Sequence, residues 1–177
     1  MAEQTSHPAE TALSDAVSDS EIRQAQDLLF FAYRDFTNAA DVILEELGLG
    51  RAHHRAMHFI GRHPGITVSE LLSILRITKQ SLARVLSDVV ERGYVAQSPG
   101  LDDRRQRLLR LTAAGEQLER RLFGAQKACL AEAFHAASPD VLAGFRAVMR
   151  GIMDESARAW VDLGQRDVSN AKERSVD

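Results

Sequence analysis

A single cysteine, Cys129, stands among the 177 residues, which excludes an internal disulfide and any metal site built from several thiolates. No uncharged apolar run approaches the roughly 18 residues that a membrane-spanning helix needs. The N-terminal segment is polar and acidic (Glu3, Glu10, Asp15, Asp19) and has neither the basic start nor the apolar core of a secretory signal, so a cytoplasmic address is expected. Catalytic signatures are also missing: there is no nucleophile elbow, no phosphate loop and no zinc-hydrolase motif. The segment Gly48–His53 holds half of a dinucleotide fingerprint, without an upstream strand to support it. Asp102 and Asp103 adjoin on an exposed loop, where no burial would tune them for acid–base work. No catalytic residue and no cofactor is therefore expected.

With hydrophobic residues at 45%, the chain has enough apolar material for one packed domain. The formal net charge is −3, yet its distribution is uneven. Between Arg76 and Arg110 eight basic residues face four acids, so this segment carries +4 and the rest of the chain −7. A basic middle in an acidic body suits a nucleic-acid reader. On charge alone it equally suits a solvated helix face.

Residues 1–19 read as a disordered arm. Ser20 is placed to cap a helix from Glu21, whose apolar residues recur at helical spacing from Ile22 to Leu47 and which Gly48 and Gly50 end. A second helix is expected over Arg51–Arg62, closed by Pro64-Gly65. Thr67 and Glu70 form a capping box for a short helix over Val68–Leu75. Thr78 caps a further helix, Lys79–Glu91, with Leu82, Val85, Leu86, Val89 and Val90 on one stripe. The period then changes: Tyr94–Gln97 and Leu108–Leu111 read as two strands around a polar, charged loop. A long helix follows Thr112, with Leu118, Leu122, Ala125, Cys129 and Ala133 on its apolar side. Ser138-Pro139 restarts a last helix burying Val141 to Met153, with Trp160 further on. The expected organisation is a helical dimerisation region at 20–47 and 113–163, a winged helix-turn-helix at 48–112, and a flexible tail at 164–177.

Two short helices joined by a tight turn, the second with a polar and basic outer face, make a helix-turn-helix. Lys79, Gln80, Ser81 and Arg84 occupy the first turns of that second helix, the part such helices present to the major groove. Arg84 has the fork that matches guanine, Gln80 the amide that matches adenine, and Ser81 serves either; Thr78 and Lys79 suit phosphate. At the hairpin tip Asp103, Arg104, Arg105 and Arg107 place charge where no core needs it, and arginine suits a narrow minor groove.

The run Ile77–Val95 resembles the recognition helix and first wing strand of MarR-family regulators. Asp103-Arg104-Arg105, followed by Leu111-Thr112 and Gly115, resembles the wing and long-helix start of the same family, and Arg62-His63-Pro64-Gly65 its loop before the helix-turn-helix. The resemblance spans residues 22–155. It implies a mainly α fold: a winged helix-turn-helix with a two-stranded β-wing and an intertwined helical dimerisation layer. The implied function is a homodimeric regulator, a repressor by family default, on a pseudo-palindromic duplex operator, with Asp103 orienting Arg105 at the minor groove. Dimerisation also follows from the apolar stripes Leu28–Leu47 and Val141–Met153, which lie outside the winged unit and need a partner.

Members of that family commonly lose DNA affinity when a small molecule, often an aromatic acid or phenol, enters the cleft between lobes. Here the expected lining is Phe31 and Arg34 from the first helix with His53, His54, Arg55 and Met57 from the second, aromatic and apolar walls with cations for an anion. This segment departs from the family in having Gly50-Arg51 where Thr-Pro is usual. Three alternatives stay open. His54 and His58 share a helix face at zinc-ligand spacing but make only half a site. Cys129 would serve redox sensing only if accessible and acidic, and its position reads as a small core residue. A winged helix also serves as a protein-interaction module.

Overall fold

The computed structural model describes residues 17–100 and 103–173, with side chains described as far as Gly164. The chain forms two compact units, Met1–Asn38 and Ala39–Asp177. Most of the expected 1–19 arm and the end of the expected 164–177 tail lie outside the described residues. Among the described residues no helix is long and apolar enough to cross a membrane.

The first helix, α1, spans Asp19–Glu46 and starts two residues earlier than a Ser20 cap would place it. Ser18 is the residue at its start: the Glu21 backbone N–H donates to Ser18 Oγ at 3.3 Å, and the Ser18 backbone N–H donates to the Glu21 carboxylate at 2.7 Å. In the first unit Ile22, Leu28, Leu29, Phe30, Phe31 and Tyr33 are all exposed. In the second, Ala40 and Leu44 bury the C-terminal part of the helix.

The winged unit follows as α2 (Arg51–Arg62), β1 (Ile66–Thr67), α3 (Val68–Leu75), α4 (Lys79–Glu91), β2 (Val95–Pro99) and β3 (Arg107–Leu111). The three helices have the bounds their caps predict. Thr67 Oγ1 accepts from the Glu70 backbone N–H while the Glu70 carboxylate accepts from Thr67, so two of the free donors at the helix start are satisfied. The hairpin becomes a three-stranded antiparallel sheet ordered β1-β3-β2, with Ile66 opposite Leu109 and Gln97 opposite the same residue from the other side. Met57, Ile60, Leu71, Leu82, Val89, Leu109 and Leu122 are almost wholly buried and form the core between sheet and helices. Each such side chain contributes about 1.5–3 kcal/mol relative to exposure.

Helix α5 spans Ala113–His135, and its start is built on close contact. Thr112 Oγ1 accepts from the Gly115 N–H at 3.1 Å and donates to the Gly93 carbonyl at 2.6 Å. A Cβ on Gly115 would overlap the Tyr94 carbonyl oxygen, so the Leu111-Thr112-x-x-Gly115 pattern has a steric cause. Leu118 and Leu122 are buried, but beyond them the helix leaves the core. Cys129 is exposed, which corrects its reading as a core residue.

The expected single last helix is two: α6 (Pro139–Ile152) and α7 (Glu155–Glu173), broken at Met153-Asp154. Asp154 Oδ1 accepts from the Ala157 backbone N–H at 2.8 Å and restarts the helix. No residue of α6 is buried in the single chain, against the expectation that Val141, Phe145, Val148 and Ile152 would be. Phe134 of α5 and Phe145 of α6 meet edge to face at 6.0 Å, and both remain open to solvent on their outer sides.

Candidate nucleic-acid interface

Helix α4 divides cleanly into two faces. Leu82, Val85, Leu86 and Val89 are buried, whereas Thr78, Lys79, Gln80, Ser81, Ala83 and Arg84 are exposed. The Ser81 backbone N–H donates to Thr78 Oγ1 at 3.1 Å, and the Thr78 hydroxyl donates to Ser81 Oγ at 2.8 Å. The Thr78 hydroxyl is thereby held at the cap, and Ser81 keeps its own hydroxyl proton for an outside acceptor.

Charged partners separate the arginines of this region into two groups. Arg92 donates to Asp88 at 2.5 Å and to the Leu47 carbonyl at 2.6 Å, and Arg76 pairs with Asp154. These are structural. Lys79, Arg84, Arg104, Arg105 and Arg107 are exposed and form no ion pair among the described residues. Within Arg76–Arg110, the cations on the outer face of α4 and on the wing form no ion pair among the described residues, whereas Arg76 and Arg92 do.

At the wing tip Asp103 does something other than hold a guanidinium. Its Oδ1 accepts from the Arg105 backbone N–H at 2.9 Å, and its carbonyl accepts from the Gln106 N–H at 3.0 Å. Gly100 closes the same turn, its N–H donating to the Gln106 carbonyl at 3.0 Å, and a Cβ there would come within 2.6 Å of the Asp103 carbonyl oxygen. Asp103 thus shapes the backbone from which Arg104 and Arg105 project.

The recognition helix is anchored at its far end through histidine. His53 Nδ1 accepts from the Gly50 N–H at 3.0 Å, which leaves the proton on Nε2, 3.1 Å from the Asp88 carboxylate. The Asp88 pKa is lowered, chiefly by the hydrogen bond from Arg92, with His53 adding to the effect. His54 is half-buried, and its pKa lies below the ordinary 6.5 chiefly through burial, with His58 adding to the effect and Glu119 and Asp41 opposing it.

The expected ligand-lining residues are not gathered in either unit. In the first unit the Arg34 guanidinium lies 4.8 Å from the Phe31 ring and bonds to Asp35 at 2.8 Å. In the second, His53 is engaged as described, Arg55 is exposed, and Met57 is wholly buried in the core. Sequence reasoning missed a cavity of about 460 Å³ at the other end of α2, walled by α2, α3 and α7. His54 and His58 collect no third ligand: among the described residues no group of three His, Cys, Asp or Glu is placed for a metal.

Residues 47–106 match the sequence profile of the MarR family. The chain is 46% identical over 142 residues to the HTH-type transcriptional regulator PetP of Rhodobacter capsulatus, covering 80% of this chain and 86% of that protein. The crystal structure of MarR superposes with a TM-score of 0.59 at 25% identity, over 76% of this chain and 98% of MarR. A mutant MarR from E. coli complexed with operator DNA gives 0.60 at 20% identity, over 78% of this chain and all of the other. A buried core under an outward basic helix, a three-stranded wing and this likeness in sequence lead to one assignment: the chain belongs to the MarR family of helix-turn-helix transcriptional regulators.

Proposed function

We propose that the protein is a homodimeric repressor that binds a pseudo-palindromic duplex operator and releases it when a small anionic ligand binds. The observation that carries the DNA-reading part is the partition of cations. Those of α4 and the wing are exposed and form no ion pair among the described residues, while Arg76 and Arg92 are tied into the fold. Exposed, unpaired cations are the groups that exchange counterions for phosphates on binding DNA.

Roles follow from position. Gln80, Ser81 and Arg84 meet base edges, and Lys79 holds phosphate at the helix start, while the Thr78 hydroxyl, expected at a phosphate, is committed to Ser81 as the cap. Arg104, Arg105 and Arg107 anchor the wing, with Asp103 fixing its turn. The dimer is supported by exposed apolar residues in each unit, Phe31 on α1 in the first and Phe134, Phe145 and Val148 on α5 and α6 in the second, faces that monomers seldom leave uncovered. Repression follows when such a dimer covers a promoter.

In vitro selection of bound fragments from the host genome, followed by fluorescence anisotropy over a salt series, tests this reading. The expected result is tight binding to an inverted repeat whose half-sites lie about one DNA turn apart, roughly 34 Å. Transcription in vitro from the selected promoter should fall when the protein is added. Binding that is indifferent to sequence and to salt would sink the reading.

A further inference from the structure

We infer that His53, Asp88 and Arg92 are positioning residues: together they set the angle of the recognition helix against the end of α1, and with it the half-site spacing that the dimer accepts. The role rests on the regulator reading above and adds a determinant of specificity that touches no DNA. None of the three lies among the reading residues, which occupy the first two turns of α4.

Two ties hold α1, α2 and the loop between them as one block, and two more fasten α4 to that block. Arg51 Nε donates to both carboxylate oxygens of Asp41, at 3.1 and 2.9 Å, so the start of α2 is held on α1. His53 Nδ1 closes the same helix start on the Gly50 N–H at 3.0 Å. From α4, one oxygen of Asp88 faces His53 Nε2 at 3.1 Å and the other accepts from Arg92 Nε at 2.5 Å. Arg92 then donates to the Leu47 carbonyl at 2.6 Å, just past the end of α1. All of these groups lie within the second unit.

Packing alone leaves the angle loose. Leu82, Val85, Leu86 and Val89 bury the inner face of α4, but apolar contact has no direction, whereas a charge-assisted hydrogen bond has. The clasp also has leverage, because it grips the end of α4 remote from the readers. Gln80 lies eight residues before Asp88, which is about 12 Å of helix. A tilt of about 10° around Asp88 would carry Gln80 by about 2 Å, more than half of one base-pair step.

The test uses full-length protein and the inverted repeat recovered by the selection above, at its own spacing and with one base pair added or removed. Fluorescence anisotropy gives the ratio of affinities. Native protein should favour its own spacing by about tenfold or more, the scale of one mismatched base pair. Asp88→Ala, which keeps a strong helix former in α4, should lower that ratio about three- to tenfold, the worth of one net hydrogen bond. Arg92→Met removes both donors and should act alike; a native ratio in either variant overturns the proposal. Affinity for a duplex carrying a single half-site should stay native, because Gln80, Ser81 and Arg84 are untouched. If it falls as far as operator affinity does, the clasp only keeps α4 folded and the proposal is overturned.

Two amides at position 53 separate positioning from capping. His53→Asn and His53→Gln each keep an acceptor for the Gly50 N–H, but only the longer amide carries an N–H as far as Asp88. His53→Gln should keep the native ratio, and His53→Asn should lose it as Asp88→Ala does. Equal ratios for the two reduce His53 to a cap of α2 and overturn its positioning role. Native protein that reads sequence but accepts all three spacings alike also overturns the proposal, whereas binding indifferent to sequence overturns the regulator reading instead.

Discussion

Arg84 and Lys79 lie within two turns of one another on the same exposed face, and the proposed roles differ by what each meets. Arg84→Ala removes a base contact: it should cost about 1–3 kcal/mol on the preferred operator and relax preference at one position. Lys79→Ala removes a phosphate contact: it should weaken all sequences alike and reduce the salt slope by about one. Anisotropy on the operator and on single-base variants, each over a salt series, separates the two. Equal effects of both substitutions on every sequence would deny Arg84 its role.

His54 sets a pH dependence of stability at the same scale. Its pKa is lowered in the fold, so the unfolded chain binds the proton more readily. The stability it contributes is complete above the unfolded value of about 6.5 and is lost as pH falls through the lower folded value. The native protein should therefore lose thermal stability between pH 7.5 and 5.5 faster than His54→Gln. Parallel melting-temperature curves for the two would show that the imidazole is not desolvated as described.

Among elements, the joint between wing and long helix leaves no room for a side chain at Gly115. Gly115→Ala would drive a methyl into the Tyr94 carbonyl, and either α5 or the end of α4 must move. Overpacking of this kind costs about 1–3 kcal/mol, read as a lowered melting temperature with weaker DNA binding because the wing is displaced. An unchanged melting temperature would mean that the joint is looser than its geometry.

The same scale shows what the sequence discloses and what it hides. Helices α2, α3 and α4 are legible to the residue because Thr67, Thr78 and Pro64-Gly65 carry their start and stop chemistry on their own side chains. Strand β1 is hidden: it is two residues long, and Thr67 reads as a cap while also pairing with Leu108. The α6–α7 break is hidden because Gly151 falls inside the last turn rather than past it, no proline follows, and the Asp154 cap resembles any acid in a polar helix. The outward face of α4 is a matter of local periodicity and could be read directly. The cavity is a matter of tertiary folding, since it joins residues near 60, near 75 and near 157, which no local pattern connects.

At the scale of the whole molecule, the apolar residues left open on α5 and α6 have a quaternary meaning. Phe145→Glu combined with Val148→Glu places two charges on a face that the proposed dimer buries. Sedimentation velocity should then show a monomer at micromolar concentration where the native protein is a dimer. Operator affinity should drop sharply, since two half-sites are no longer held by one particle. A native monomer, or a charged variant that still dimerises, would remove the dimer from the account.

The sheet order β1-β3-β2 also bears on how the protein is made. The central strand, Arg107–Leu111, is the last of the three to leave the ribosome. Until it emerges, Ile66–Thr67 and Val95–Pro99 are two edges with no strand between them, and Leu109, the centre of the sheet, is absent from the core. The reading helix can form early from its own caps, but it acquires its support only when the chain has passed Leu111. Synthesis in vitro of nascent chains stalled before Arg107 should therefore yield protease-sensitive intermediates, and chains extended through α5 resistant ones.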